Sequence, residues 1–162
     1  KIIGCGVQLF SCIGYVDYCR IGMDVSLIFD DVWFMKFMHR ERISTKLTVI
    51  NTMFRRQLDG IYFLNDPDVY LLRDDNIKLN FEQKKSLAII NHLFGSVFLT
   101  SDDVNTYNSK QKKLYVEAKK LESFTPYNVR REGKRIKFEA TNGYETYNFT
   151  YNYKKGVLKY GR

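Results

Sequence analysis

The sequence predicts an α/β fold of parallel βα units that is followed by a small antiparallel β module. In the first part of the chain, short apolar runs alternate with helical patterns, as is typical of parallel strands covered by helices. After Pro126, apolar residues alternate with polar ones between turn signals such as Asn142-Gly143. The expected division is therefore a βα region over residues 1–123 and a β module over residues 124–162.

Length and composition indicate a folded domain, or a domain with a small appendage. The chain has 162 residues, which is enough to form a core. Its hydrophobic content of 44%, with twelve Tyr and twelve Phe, excludes a disordered tail. No run approaches the roughly eighteen apolar residues of a membrane helix, so we expect no membrane partner. The chain opens without an initiator Met or a signal-peptide pattern, as if within a longer polypeptide.

The cysteines, the histidines and the net charge argue against a metal site and against a nucleic-acid partner. Cys5, Cys12 and Cys19 are an odd set that cannot all pair within the chain, and their spacing lacks the close doublets of a zinc site. We expect buried or site-lining thiols in a reducing, cytoplasmic location. His39 and His92 are too isolated to indicate a metal, and no cofactor is expected. The net charge of +8 is spread in small basic groups that fit solvated faces, which disfavours nucleic acid as a partner.

Strand and helix signals follow one another along the βα region. The predicted strands cover residues 2–7, 15–20, 61–64 and 97–100, and the predicted helices cover residues 43–60, 80–95 and 105–122. The first helix has Ser44 or Thr45 as a cap. Its predicted apolar face consists of Ile43, Leu47, Ile50 and Phe54. The second helix has Asn80 as N-cap, Gln83 at the capping-box position and Gly95 at its end.

Polar residues collect where the predicted strands end. An arginine and an aspartate four residues apart, Arg20 and Asp24, follow the second strand. Such a pair is usually a solvated ion pair of little energetic value. A second group with acidic residues, Asn65-Asp66-Pro67-Asp68, follows the third predicted strand. The two groups favour one shared site, because the carboxyl ends of parallel strands lie on the same edge of a sheet. The predicted acidic mouth contains Cys5, Gly6, Arg20, Asp24, Asp66, Asp68, Asp102 and Asp103.

The β module is rich in tyrosine, which allows two interpretations. Aromatic residues alternate at Tyr147, Phe149, Tyr151 and Tyr153, as expected for an antiparallel sheet of three or four strands. One aromatic face packed on a neighbouring element is the favoured interpretation. The alternative is a sugar-binding surface.

Five stretches in chain order carry a resemblance to a known family. They are Gly4-Cys5-Gly6-Val7, residues 16–25 with Arg-x-x-x-Asp, Arg55-Arg56-Gln57, residues 63–69 with Asn-Asp-Pro-Asp, and residues 99–103. Together they resemble the carboxyl-terminal half of bacterial α-galactosidases (melibiases) of the glycoside hydrolase family 36 type. The more distant family 27 α-galactosidases share the second and fourth stretches in part. The resemblance implies the second half of a (β/α)₈ TIM-type barrel, about four βα units, followed by an antiparallel β domain.

The resemblance also implies an activity and an acid/base residue. The activity is retaining hydrolysis of terminal α-galactosides such as melibiose or raffinose, which uses a nucleophile and an acid/base carboxylate. The acid/base maps to Asp24, with Arg20 as its partner. Arg20 favours the charged form of this carboxyl group, while burial and a facing carboxylate oppose it.

Further residues are expected to contact substrate. Asp66 and Asp68 would line the site, with Asp68 orienting Arg20 or a sugar hydroxyl, and Cys5 and Gly6 would contact the sugar. A packed thiol beside a tight turn is the alternative for Cys5 and Gly6. Trp33 offers a surface on which a sugar can stack, with a position in the core as the favoured alternative.

The chain departs from the family pattern in two places. The family's nucleophile sits on the fourth barrel strand in a Lys-x-Asp type motif, and this chain supplies only the last four strands. Gln8 replaces an expected proline, and residues 10–13 replace a small, glycine-rich stretch. Because a half barrel exposes strand edges, we expect a homo-oligomer, a complex with a separate amino-terminal half, or a longer polypeptide. The alternative function is an inactive remnant that at most binds sugar.

Overall fold

The computed structural model describes residues 1–29 and 43–162, so Trp33 and His39 lie outside the described residues. The strands are β1 Ile3–Gly4, β2 Tyr18–Arg20, β3 Leu64–Asp66, β4 Val69–Tyr70, β5 Leu99–Thr100, β6 Thr125–Glu132, β7 Arg135–Thr141, β8 Thr146–Asn152 and β9 Val157–Gly161. The α-helices are α1 Thr45–Phe54, α2 Phe81–Phe94 and α3 Ser109–Lys120. In the described ranges, every helix is too short or too polar to cross a bilayer.

Three sheets organise these strands. β1, β2 and β3 pair in parallel in that order, β4 pairs in parallel with β5, and β6 to β9 form an antiparallel meander. The parallel strands are shorter than predicted, and the third begins at Leu64 instead of Ile61. The amides of Ile61 and Tyr62 donate to the Leu58 carbonyl at 3.3 and 3.2 Å, which makes this segment a turn.

Helix α1 begins where its cap predicts but buries a different face. The Ser44 hydroxyl accepts a hydrogen bond from the Leu47 amide at 3.2 Å, which confirms Ser44 as the N-cap. The predicted apolar face is wrong at its two ends, since Ile43 and Phe54 are 46% and 36% exposed, whereas Ile50 packs against the core as predicted. The residues that α1 buries are Thr45, Thr48, Val49, Thr52 and Met53. A polar face can be buried here because its hydroxyl groups find hydrogen-bond partners.

Helix α2 has the predicted ends. Asn80 and Gln83 form a complete capping box, and Gly95 follows the last helical residue. Gly95 has a φ of −106° and so does not need the left-handed conformation. A Cβ at this position would lie 2.6 Å from Cγ of Pro67 and 2.9 Å from the Asn91 carbonyl oxygen. Gly95 therefore allows the end of α2 to pack directly on the Asn-Asp-Pro-Asp segment.

Helix α3 is shorter than predicted at its start. It begins after Asn108, which forms a capping box with Gln111. Residues 104–106 form a separate 3₁₀ turn capped by the side chain of Asp103. The predicted apolar face of this region is confirmed, since Leu114, Ala118 and Leu121 are buried together with Tyr107.

The antiparallel sheet packs one face on α2. Phe138 stacks on Phe149 at 4.7 Å between ring centroids and meets Phe94 of α2 edge to face at 5.0 Å. Phe149, Tyr151 and Tyr153 are buried. The packing interpretation of the aromatic alternation is therefore confirmed for these residues. The division at residue 124 stays a prediction, because one apolar core includes residues of the helices and of the sheet.

Candidate active site

Arg20 forms the centre of the candidate site at the end of β2. Its Nε lies 2.8 Å from Oδ2 of Asp66, which faces Arg20 in the parallel register of β2 and β3. Its Nη1 lies 2.9 Å from Oδ1 of Asp68 and 3.1 Å from Oδ1 of Asp24. The Arg20 side chain is 14% exposed. One nearly buried guanidinium therefore contacts three carboxylates.

Asp66 and Asp68 are held by the main chain as well as by Arg20. The Asp68 amide donates to Oδ1 of Asp66 at 2.8 Å, and Oδ2 of Asp68 accepts from the Val25 amide at 2.6 Å. Asp68 has a φ of +73°, a conformation that aspartate tolerates better than most residues. Both oxygens of Asp66 and Oδ2 of Asp68 thus accept hydrogen bonds within the protein, and Oδ1 of Asp68 is paired with the charge of Arg20. Both residues are buried.

The charges of this cluster are set by burial and pairing. Burial raises the pKa of Asp68, against the Val25 amide and the Arg20 charge, which lower it. Burial also acts to lower the pKa of Arg20, but the hydrogen bond to Asp66 and the charges of Asp68 and Asp66 outweigh it, so that pKa is raised. Arg20 consequently stays protonated at all physiological pH values.

Asp24 differs from the other two carboxylates in its exposure. Its side chain is 65% exposed. Oδ1 accepts from Arg20, and within residues 1–29 and 43–162 no donor contacts Oδ2. A carboxylate with one oxygen fixed by a cation and the other open to solvent can exchange a proton with a bound molecule.

A cavity of about 240 Å³ lies beside Arg20 and Asp24. Its lining consists of Cys5, Gly6, Arg20, Gly22, Met23, Asp24 and Ile43. Gly6 has a φ of +68°, in the left-handed region that favours glycine. Four of the residues predicted for the site therefore come together here. Asp66 and Asp68 contact Arg20 but do not line the cavity, and the role of Trp33 stays a prediction.

The three cysteines separate into one cavity thiol and one buried pair. Cys5 is exposed at the cavity, whereas Cys12 and Cys19 are buried with their sulfur atoms 3.6 Å apart. Burial, with the neighbouring Cys12, raises the pKa of Cys19 to about 12. Cys19 therefore stays a neutral thiol, and it packs with Cys12, Ile21 and Phe63 in a small apolar cluster.

The predicted acidic mouth is wrong at its fourth strand end. Oδ2 of Asp102 accepts from the amides of Leu72 and Arg73 at 2.5 and 3.0 Å and from the Tyr107 hydroxyl at 2.7 Å. Asp103 caps a 3₁₀ turn through a 3.0 Å bond from the Asn105 amide. These two carboxylates hold together the segment after β4 and the turn before α3. They are structural groups and not part of the Arg20 cluster.

Sequence reasoning missed the residues that hold the loop carrying Asp24. Thr48 donates from Oγ1 to the Met23 carbonyl at 2.5 Å, and Thr45 donates to the Ser26 carbonyl at 3.0 Å. Gly22 packs directly on the same helix, since a Cβ there would lie 3.1 Å from Cγ2 of Thr48. The available signal was a threonine stripe at helical spacing along α1.

The geometry offers one candidate carboxylate for acid/base chemistry. Retaining glycosidases place two carboxyl groups about 5 Å apart, one of which is a nucleophile. In the described part of the chain, Asp24 is the carboxylate that lines the cavity, and its Oδ2 has no donor, whereas Asp66 and Asp68 are buried and pair with Arg20. The described His, Cys, Asp and Glu side chains form no group of three that could hold a metal ion. The cavity can therefore provide proton transfer beside a fixed cation.

The fold of the chain is similar to parts of solved glycoside hydrolase structures. No family model matches the sequence. α-Galactosidase I from Mortierella vinacea has a TM-score of 0.65 at 16% identity, covering 85% of this chain and 38% of that one. The α-galactosidase from Thermus thermophilus in complex with p-nitrophenyl α-D-galactopyranoside has a TM-score of 0.65 at 21% identity, covering 89% and 28%.

A third structure extends the comparison beyond galactosidases. It is a GH27 β-L-arabinopyranosidase from Geobacillus stearothermophilus in complex with arabinose, with a TM-score of 0.57 at 12% identity, covering 85% of this chain and 33% of that one. The chain thus spans about a third of the length of the structures it matches. At these identities the likeness is one of fold, and over most of its length the chain has a fold that occurs in glycoside hydrolases.

Proposed function

We propose that this chain is the carboxyl-terminal part of an α-galactosidase-like glycoside hydrolase of the family 36 type. It would contribute the second half of a (β/α)₈ barrel over residues 1–123 and a β module over residues 124–162. The sequence motifs, the parallel register of β1 to β3 and the fold of two α-galactosidases support this proposal. The observation that carries it is the open carboxylate of Asp24 fixed by Arg20 at the rim of a cavity.

In this proposal Asp24 is the acid/base of a retaining reaction on terminal α-galactosides of the melibiose or raffinose type. Asp24 gives a proton to the glycosidic oxygen as the bond breaks and later takes a proton from the attacking water. Arg20 contacts Asp24 directly and keeps its carboxyl group in place. Asp66 and Asp68 act through Arg20 as positioning residues, and Cys5 and Gly6 form the wall that the sugar contacts.

The nucleophile would come from strands outside these 162 residues, in the same polypeptide or in a partner. Apolar side chains at the free edge of β1 and beside β3 support such an association, because Ile2, Ile3 and Ile61 are exposed. The partner would be the amino-terminal half of the barrel or a second copy of this chain. The three unpaired thiols support a cytoplasmic location for this assembly.

A second candidate function is sugar binding without catalysis. The observation that favours it is the pairing of Asp66 and Asp68 with Arg20 outside the cavity, which leaves Asp24 as the open carboxylate of the described cavity. One acid/base without a nucleophile binds a sugar but does not complete a retaining reaction.

Hydrolysis assays with two substrates test the proposal. The purified chain is assayed alone and after mixing with the amino-terminal half of a bacterial α-galactosidase, using melibiose and p-nitrophenyl α-D-galactopyranoside. We expect turnover in the mixture and a loss of about 100- to 10,000-fold on melibiose with Asp24→Asn. The nitrophenyl substrate should lose less in bond cleavage, because its leaving group departs as an anion without protonation.

Asp75→Asn is the matched control, since Asp75 is an exposed aspartate away from the cavity. It should keep the activity of the mixture. Equal losses of kcat/KM, which reports bond cleavage, for both substrates in Asp24→Asn would show that Asp24 is not the general acid. Galactose binding by calorimetry without turnover in any mixture would favour the second candidate.

A further inference from the structure

Most of the net positive charge of the chain belongs to its last 39 residues. Residues 124–162 contain nine Lys and Arg against three Glu, which gives +6 of the total of +8. The preceding 123 residues contain 17 basic and 15 acidic residues and are nearly neutral. Such an asymmetry between two parts of a chain indicates a surface for an anionic partner.

The glutamates of this region do not neutralise the cations. Glu132 is shared by Arg130 at 2.9 Å and Lys137 at 2.5 Å, and Glu145 pairs with Arg162. The third, Glu139, accepts from the side-chain amide of Asn128 at 3.2 Å. Several cations have no carboxylate partner in the described part of the chain, namely Arg131, Lys134, Arg135, Lys154, Lys155 and Lys159.

Three of these unpaired cations surround a groove on the outer face of the sheet. The groove has a volume of about 610 Å³ and is lined by Arg135, Thr150, Asn152, Lys155, Val157 and Lys159. Their sequence neighbours Ile136, Tyr151 and Leu158 are buried on the opposite face. The groove is therefore open to solvent on the side away from the core and shares no residue with the cavity at Asp24.

Strand register sets the order of the groups in this groove. Thr150 on β8 pairs with Lys159 on β9, and Asn152 pairs with Arg135 on β7 and with Val157 on β9. Because strands are about 4.8 Å apart, cations on β7 and β9 flank the central polar groups at a separation of about 10 Å. Oδ1 of Asn152 accepts from the amides of Lys154 and Lys155 at 3.1 and 3.2 Å, which leaves Nδ2 as a donor to a ligand.

We propose that this groove binds an acidic polysaccharide. Arg135 presents a planar fork that matches a sugar carboxylate, and Lys155 and Lys159 add two mobile charges. Between them, the Thr150 hydroxyl and the Asn152 amide can hydrogen-bond to sugar hydroxyl groups. A polymer of acidic sugars has both carboxylates and hydroxyl groups along its length. The alternating cations and hydrogen-bonding groups of the groove match these two kinds of group. The inference does not depend on the proposed hydrolase activity.

The groove is less suited to other polyanions. Proteins that bind single-stranded nucleic acids combine a basic groove with aromatic side chains on which bases stack, and amphipathic helices that bind membranes insert aromatic or large apolar side chains. Among the described residues of the lining, Val157 is the apolar one and none is aromatic. Charge complementarity and the polar lining together favour a hydrated, carboxylate-bearing polysaccharide.

Binding of sodium polygalacturonate by the whole chain tests the proposal, with neutral dextran and oligo(dT) as comparisons. The groove variant combines Arg135→Gln, Lys155→Gln and Lys159→Gln. The control variant combines Lys112→Gln, Lys113→Gln and Lys120→Gln, which removes the same charge from exposed positions on α3. We expect salt-sensitive binding to polygalacturonate, a loss of about tenfold or more in the groove variant, and a change below about twofold in the control.

A further variant keeps the test decisive if the triple substitution impairs folding. Thr150→Val removes one hydroxyl and no charge, so it should weaken polygalacturonate binding without changing its salt dependence. Equal losses in the groove and control variants would overturn the proposal in favour of net charge alone. Absence of binding at low salt would also overturn it, as would tighter binding of oligo(dT) that disappears in the groove variant.

Discussion

The parallel strands β1 to β3 and the antiparallel strands β6 to β9 are stabilised by different interactions. The parallel strands have two or three residues each and bury a small apolar cluster around Cys19 and Ile21. Large apolar residues near them are exposed, such as Phe10 at 73%. The antiparallel strands have five to eight residues each. They bury aromatic side chains that stack on one another and pack against α2.

The region around the candidate active site is instead held by charges and hydrogen bonds. Arg20 joins three carboxylates from two strand ends, and Asp68 fixes the loop amide of Val25. Polar contacts position groups accurately, whereas apolar burial supplies most of the folding free energy. The difference shows that the antiparallel sheet and α2 provide most of the stability of the fold, while the short parallel strands position the residues of the candidate site.

The largest expected effect is the loss of a core aromatic ring from the antiparallel sheet. Phe138→Ala removes a side chain that stacks on Phe149 and meets Phe94, and it leaves a cavity between sheet and helix. We expect the free energy of unfolding, measured by urea titration, to fall by about 4 kcal/mol. Phe10→Ala, at an exposed phenylalanine of the parallel region, should change it by less than about 0.5 kcal/mol. Similar losses in both variants would break the comparison.

Removal of the central cation should have the next largest effect. Arg20→Met leaves Asp66 and Asp68 buried without their counter-charge, and we expect a loss of about 3 kcal/mol in urea unfolding at neutral pH. Asp24→Asn is the matched control, because its pair with Arg20 is exposed and should contribute less than about 1 kcal/mol. An Arg20→Met protein as stable as the wild type would mean that apolar contacts alone hold the parallel strands.

A smaller effect is expected where the two regions meet at Gly95. In Gly95→Ala the new methyl group overlaps Pro67 and the Asn91 carbonyl, so α2 or the Asn-Asp-Pro-Asp segment must shift. We expect a loss of about 1 to 3 kcal/mol in thermal or urea unfolding. Gly161→Ala is a suitable comparison, because a Cβ there has nothing within 4 Å. A neutral Gly95→Ala would show that the contact between α2 and this segment is loose.

The smallest effect concerns the pH dependence contributed by His92 on α2. Burial lowers the pKa of His92 below its ordinary 6.5, although Glu122 beside it acts in the opposite direction. As the pH drops, the unfolded chain therefore binds a proton at His92 before the folded chain does. The free energy of unfolding should consequently fall as the pH drops below about 6.5. Urea midpoints at neutral and mildly acidic pH should show this slope in wild type and a reduced slope in His92→Gln.

The other histidine of the chain provides the control for this measurement. His39→Gln should keep the full slope if His92 is its source, since the chain has two histidines. An unchanged slope in His92→Gln would assign the pH dependence to other groups.

The fold was predictable where the local pattern and the tertiary contacts agree. The capping box of Asn80 and Gln83 and the aromatic alternation of β8 both appear in the structure as the sequence indicates. The pair of Arg20 and Asp24 was predictable because a four-residue spacing at a strand end brings two side chains to one edge. These signals depend on neighbouring residues and need no knowledge of distant contacts.

The remaining features depend on contacts that are distant in sequence. The buried face of α1 is rich in threonine, since those hydroxyl groups bond to a loop some twenty residues earlier. Asp102 leaves the predicted mouth because its carboxylate meets amides thirty residues earlier in the chain. Strands of two or three residues, such as β1, are too short for a periodic pattern to fix their ends.

The threonine contacts of α1 also have a consequence for how this protein can diverge. Thr48 and Thr45 hold the carbonyl oxygens of Met23 and Ser26, which are main-chain atoms that every amino acid provides. Met23, by contrast, is one of the residues that line the cavity. Mutation can therefore change the shape of the cavity through Met23 while the backbone beside Asp24 stays in place. Ligand preference and carboxylate position are thus separable traits, encoded in different elements of the chain.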